Sequence, residues 1–304
     1  MMAEEPPKPQ RSDEEVKTAV ANGETIESVE EMSPGYLESL KRLMLVQADT
    51  ELMSVLCYQP VANTAPTLDT RISASAIVQD EAGHANIMYR LLEDLGEDKH
   101  ELVYEREPHE YKNMHFFDYR LHNWAELAVA NALFDRAGAV QLGDISEHCS
   151  YGPWRRALKK VDVEERFHQR HGDVWMKRLA NGNEKTKQML QDAVDRMWPH
   201  GVEWFGPENR QSTHVQDIID FGLRSMTNDE MRYEWYDQVI PKLEDLGLEV
   251  DAHADEDERG GWYIGYDPDW DEVIQRFKNR GPHIEEYVEI LRSGQNGFAA
   301  KATA

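Results

Sequence analysis

One pattern of acids and imidazoles occurs twice in this chain at a fixed offset. Glu51, Glu81 and His84 return as Asp135, Glu165 and His168, each 84 residues further on. In both sets the Glu-x-x-His pair stands at i, i+3, so on a helix both side chains point the same way, as two ligands of one cation must. The upstream acids, thirty residues earlier, lie in apolar-periodic stretches of their own, Val46–Leu56 and Ala132–Gly138. With twelve His in an acidic chain, about one accidental Glu-x-x-His is expected. Glu97 and His100 are that accident, because they follow Gly96 in a polar stretch just past a helix stop signal. Chance supplies two pairs with equally spaced acids far less readily.

The segments that carry these residues read as helices. Ser33-Pro34 provides an N-cap and a first-turn proline, and the apolar positions from Tyr36 through Leu40, Leu43 and Met44 to Leu56 have helical period. Residues 63 to 67 break that helix, and a second runs from about Leu68 to Leu95. So short a connection makes them antiparallel neighbours, and thirty residues bring the chain back to the same height. Gly96 to His122 is a polar and aromatic crossover. Asn123 starts a third helix through Asp135, Cys149–Pro153 ends it, and Trp154 to about Leu179 forms a fourth. Two hairpins joined by a long crossover give an all-α fold, a ferritin-like four-helix bundle.

Additional C-terminal helices are expected over Glu184–Met197 (closed by Trp198-Pro199), Thr213–Leu223, Asn228–Leu246, Asp269–Lys278 and Pro282–Leu291. Gly261–Tyr266 is the one strand-like stretch. The expected division is a mobile segment over 1–32, a single domain over 33–292 and a disordered tail over 293–304.

Composition narrows the function. No apolar run is long enough to span a bilayer, and no stretch near Met1 has signal-peptide character, so a cytoplasmic protein is expected. Cys57 and Cys149, without any Cys-x-x-Cys, point to buried small hydrophobes rather than a disulfide framework or a thiolate metal site. Basic residues number 33 against 58 acidic, a net charge of −25, which repels nucleic acid and anionic membranes and excludes both as partners.

Six groups projecting into one bundle core make a di-metal site. Four buried carboxylates repel and take up protons unless about four positive charges offset them, and two divalent cations do so. Mixed oxygen and nitrogen ligands suit iron or manganese. Asp135 is one methylene shorter than Glu, and Glu126 competes on its helix, but nine residues place Glu126 on the opposite face. Asp80 and Glu164 each precede the Glu and stand four before the His, which offers them either as carboxylate partners of the imidazoles or as two solvated acids.

A di-metal bundle alone does not name a reaction. The runs Val78–His84, Ser150–Pro153, Glu164–Arg170, Lys187–Ala193, Trp204–Pro207 and Met226–Glu230, in that order, resemble the catalytic A subunits of the ring-1,2-phenylacetyl-CoA epoxidase family, ferritin-like di-iron multicomponent monooxygenases. The likeness runs from about residue 33 to 280. It implies that Glu51, Glu81, His84, Asp135, Glu165 and His168 hold two iron ions and that O₂ and phenylacetyl-CoA are the substrates of a ring epoxidation. It further implies electrons from a separate reductase and a structural ferritin-like partner subunit. Arg42 matches a position associated with the CoA moiety, and Arg155, Arg156, Lys159 and Lys160 form an alternative basic cluster. The competing readings are an oxidase or oxygenase acting on another acyl-CoA, and a non-catalytic ferritin-like storage or structural subunit.

The strong acidity also carries an expectation of its own. Concentrated salt screens the self-repulsion that a charge of −25 causes, so the melting temperature is expected to rise from low to molar salt. A flat or falling curve counts against adaptation to a saline host.

Overall fold

The structure, a computed structural model, describes residues 8–209 and 214–302. Ser33 accepts a hydrogen bond from the Tyr36 backbone and Pro34 opens the first turn of α2 (Pro34–Ala62), as expected. Thr67 caps α3 (Leu68–Asp94) in the same way, and Gly96, at φ +91°, ends it with a left-handed turn. The buried positions of α3 include Thr70, Ala74, Ile77, Glu81, His84, Met88 and Leu92, each three or four residues from the next. Glu81 and His84 therefore occupy core positions in an otherwise mostly apolar seam.

The second hairpin is built likewise. Asn123 caps α4 (Trp124–Val129), a π-helical turn spans Ala130–Phe134, and α5 (Asp135–His148) continues the same rod. The fourth bundle helix, α6 (Gly152–Ala180), buries Trp154, Leu158, Val161, Glu165, His168, Gly172, Met176 and Leu179, again at seam spacing. Gly172 lets α6 approach the π-helical turn closely, since a Cβ there would stand 2.4 Å from the backbone nitrogen of Ala132. The carbonyl of Leu133 in that turn accepts from the Trp235 indole at 2.8 Å.

Between the hairpins, the crossover makes helical turns at 101–105, 108–110 and 115–118. Buried Asp49 of α2 pins it, taking Arg106 at 2.5 and 2.9 Å and the backbone N–H of Lys112 at 2.7 Å. Beyond the bundle come α7 (Glu184–Glu203), α8 (Val215–Asp220) and α9 (Asn228–Asp245). An antiparallel pair follows, β1 (Ala252–Ala254) with β2 (Trp262–Ile264), in which Ala252 faces Ile264. Last are α10 (Trp270–Asn279) and α11 (Ile284–Ala302). The expected strand is β2. Trp198 and Trp235 from these helices, with Phe205 just past α7, join Leu133 and Phe134 in one apolar core, which braces the second hairpin from outside.

Three segments carry helix beyond the expected bounds. Within residues 8–32, part of the segment expected to be mobile, a short helix, Asp13–Ala21 (α1), buries Val16, while Ile26 donates its backbone N–H to Ser150 at 2.8 Å. Residues 1–7 lie outside the described part. The helix expected to stop at Trp198-Pro199 instead runs through Pro199 to Glu203, because burial of Met197, Trp198, Gly201 and Val202 outweighs one missing backbone bond. Within the expected tail from 293, residues as far as Ala302 are assigned to α11. Of the helix expected over Thr213–Leu223, residue 213 lies outside the described part, and the rest contains α8.

Replacing Gly172 forces a methyl group into the Ala132 backbone, which cannot rotate away. Gly172→Ala is expected to cost about 1–3 kcal/mol and to lower the melting temperature by several degrees; unchanged thermal unfolding would mean the two helices are not in close contact.

Candidate metal centre

Each of the four bundle helices delivers its share of the repeated pattern to one place. Glu51 comes from α2, Glu81 and His84 from α3, Asp135 from α5, Glu165 and His168 from α6, and all six are buried. Nδ1 of His84 lies 3.3 Å from Oε1 of Glu165 and 3.5 Å from Oε2 of Glu51. Nδ1 of His168 lies 3.3 Å from Oε1 of Glu81, 3.5 Å from Oε1 of Glu165 and 4.0 Å from Oδ2 of Asp135. The two ring centroids are 5.9 Å apart. Donor atoms of Glu51, Glu81, His84 and Glu165 all lie within 4.8 Å of one another, as do those of Glu81, Asp135 and His168. Glu81 belongs to both groups and stands between them.

The far side of each imidazole determines what the near side can do. Nε2 of His84 meets Glu164 at 3.0 Å, and Nε2 of His168 meets Asp80 at 3.4 Å. Both are half-buried carboxylates that accept the Nε2 proton. With Nε2 as donor, each Nδ1 presents a lone pair toward carboxylate oxygens. Both Nδ1 atoms are buried without a hydrogen-bond partner among the described residues. A lone pair facing an anionic oxygen is repulsive unless a proton or a metal ion lies between them, and this donor set fits a di-iron carboxylate site.

In the metal-free chain protons take that place. Burial opposes a charged imidazole, but Glu165 and Glu51 outweigh it and push His84 up to about 12. His168 rises to about 10 on the same balance, chiefly through Glu81 and Glu165. Burial and the neighbouring Glu51 push Glu81 up to about 7, and burial raises Asp135 and Glu165 as well. On Glu164 burial acts against the charge, yet His84 and Lys160 hold its carboxyl below the usual range.

Several residues that brace the cage carried no sequence signal. Ser54 donates to Glu81 at 2.9 Å. Tyr58 and Asn131 donate to the two oxygens of Asp135 at 3.0 and 2.8 Å, which anchors this shorter carboxylate from both sides. Asn131 in turn meets Nδ1 of His171 at 3.1 Å, and burial lowers His171 to about 4, so a neutral ring donates here. Seen afterwards, Ser54 and Tyr58 lie three and seven residues past Glu51, Asn131 four before Asp135 and His171 three past His168, all on site-facing stripes.

Other candidates lie elsewhere. Glu126 is buried against Arg196, away from the cage. His100 is exposed, and Glu97 pairs with Lys41 at 2.8 Å. Arg42 is exposed on α2. In the alternative basic cluster, Arg156 pairs with Glu27 at 2.7 Å and Lys160 with Glu164 at 3.2 Å, so two of its four charges are engaged within the chain. A cavity adjoins the cage, with the carboxylates on one side and Phe117, Phe134, Leu142 and Trp204 on the other.

The family model described as phenylacetic acid catabolic protein matches residues 16–280. The chain is 32% identical over 283 residues to the A subunit of 1,2-phenylacetyl-CoA epoxidase from Escherichia coli (strain K12), covering 92% of this chain and 91% of that one. To the C subunit of the same enzyme it is 26% identical over 189 residues, 61% of this chain and 73% of that one. The near end-to-end match is thus to the A subunit, and the match to the C subunit is partial.

With folded values of about 12 and 10 against an ordinary 6.5, both imidazoles are protonated at neutral pH in the metal-free chain. Their contribution to its stability is fully present below about 6.5 and is lost as pH climbs through about 10 and then about 12. Ligation has to displace those protons. Loading ferrous ion near pH 7 without oxygen is expected to release about two protons per chain from the imidazoles and more from the raised carboxyls, with affinity rising from pH 6 to 8. Proton-neutral uptake, followed in weakly buffered titrations, would place the metal elsewhere.

Proposed function

The chain belongs to the phenylacetic acid catabolic protein family, and on that footing we propose that it is the catalytic subunit of a multicomponent monooxygenase converting the ring of phenylacetyl-CoA to its 1,2-epoxide. One atom of O₂ enters the ring and the other leaves as water, so a turnover takes up two electrons and two protons. The electrons come from a separate reductase. A related ferritin-like subunit completes the assembly, a reading supported by the partial similarity to the epoxidase C subunit. The enzyme works in the cytoplasm, and residues 33–292 form its single functional domain. What carries the reading is the pair of unpartnered imidazole nitrogens among four buried carboxylates, in a chain that aligns along 92% of its length with the A subunit of an epoxidase.

Glu51, Glu81, His84, Asp135, Glu165 and His168 would hold two iron ions, which supply the reduction of O₂ and the transfer of its oxygen atom. The chain's own contribution is placement and dryness. Glu164 and Asp80 hold the imidazoles from behind, and Ser54, Tyr58 and Asn131 fix the carboxylate oxygens that face them. Phe117, Phe134, Leu142 and Trp204 form an apolar wall that excludes water and offers the ring a stacking surface. Arg42 contacts the CoA phosphates, a local positive charge on a chain of net −25. No side-chain nucleophile is required.

Purified with iron, the protein is expected to hold about two ions per chain and, with its reductase, to consume oxygen only when phenylacetyl-CoA is present. His84→Ala should abolish both the full iron content and turnover while the far-UV helix signal survives. Two irons without oxygen uptake on phenylacetyl-CoA would leave a different acyl-CoA as substrate, and a variant with intact iron would remove His84 from the site.

A further inference from the structure

An aromatic ring has to reach the carboxylates, yet the cavity beside them is too small to take one. Its volume is about 30 Å³, whereas a cavity that binds benzene is on the order of 150 Å³. Its wall along the π-helical turn and α5 is a stripe of every fourth residue, Phe134, Gly138 and Leu142, so a notch lies between two large side chains, at the level of the cage.

Glycine inside a helix is less stable than alanine, so Gly138 calls for a cause. Backbone geometry is not one, because Gly138 is not among the residues with positive φ. Close packing is not one either: a Cβ at 138 would meet nothing within 4 Å among the described residues, in contrast to Gly172. Gly83 and Gly143 are similarly open, but neither lines the cavity. The wall contains a second sign of a ligand. Trp204, stacked on Phe134 with centroids 5.5 Å apart, has a buried indole N–H with no acceptor among the described residues; Trp124, Trp154 and Trp198 share that state, but of the four only Trp204 lines the cavity. A donor left unpaired in an apolar pocket is where an entering carbonyl finds its partner.

We propose that Gly138 is a specificity-determining residue whose missing side chain is the space the aryl end of the thioester occupies between Phe134 and Leu142. The rest of the ring's volume comes from rotamer changes of the flanking Leu142 and Trp204. The proposal rests on the aryl-CoA reading above and adds to it the position that separates ring-bearing from ring-less thioesters. Bulk at 138 closes the notch to a ring and leaves a small acyl group unhindered.

The test uses the iron-loaded full-length chain without reductase, so that binding is measured with no turnover. Calorimetric titrations with phenylacetyl-CoA and with acetyl-CoA compare wild type, Gly138→Ala and Gly138→Leu. Phenylacetyl-CoA is expected to weaken about tenfold or more in Gly138→Leu, as for steric exclusion from an apolar pocket, and by a smaller factor in Gly138→Ala. Acetyl-CoA affinity and iron content stay unchanged, and the melting temperature of Gly138→Ala rises with its better helix former. Should the leucine variant fail to fold, the ring-selective loss in the alanine variant decides the matter. Equal losses for both thioesters, or an aryl preference that survives both substitutions, overturn the inference while the proposed function stands. A wild type that does not prefer phenylacetyl-CoA overturns the proposed function, and the inference with it.

Discussion

Four carboxylates and two imidazole lone pairs are held face to face inside a low-dielectric bundle, and the rest of the molecule answers to that unfavourable charge. Each Nδ1 lies 3.3 Å from an oxygen of a glutamate on another helix, so the arrangement is stable only with protons or cations between them. The chain holds the geometry in advance by tying the outer faces down. Glu164 and Asp80 receive the Nε2 protons, Ser54 donates to Glu81, and Tyr58 and Asn131 donate to Asp135. A cage held in this way does not have to reorganise when a cation arrives.

That design has a cost in the seams. In α3 and α6 the pairs Glu81, His84 and Glu165, His168 stand where a simpler bundle would place apolar residues. A fully buried apolar side chain contributes roughly 1.5–3 kcal/mol at each such position. The loss is offset outside the bundle. The C-terminal helices bring Trp198, Trp204 and Trp235 against the second hairpin, and the crossover, pinned by Asp49 and Arg106, seats Phe116 and Phe117 beneath it. The residues beyond the four bundle helices thus have a physical task.

The π-helical turn at 130–134 joins the two themes. It lies directly before Asp135 and presents Asn131 to it, and Gly172 of α6 and Trp235 of α9 seat its backbone. The aspartate is a methylene shorter than the glutamate at the matching position of the first hairpin. Two donors and a locally widened helix hold it within reach of His168.

The amino-acid sequence by itself determined the helical order, the capping at Ser33, and the six groups at the centre. These rest on local physics: helical period and capping chemistry act within one or two turns, and a repeated spacing transmits that order to a second hairpin. Only the tertiary structure decided what surrounds them. Asp80 and Glu164 read equally well as solvated acids until α3 and α6 lay antiparallel with those side chains behind the imidazoles. Tyr58, Asn131 and His171 are single polar residues on helices, indistinguishable in sequence from solvated ones. The packed N-terminal helix, the passage of α7 through Pro199 and the open space before Gly138 follow from contacts between residues far apart in the chain. Local propensity carries no information about those contacts, because burial against distant partners outweighs it.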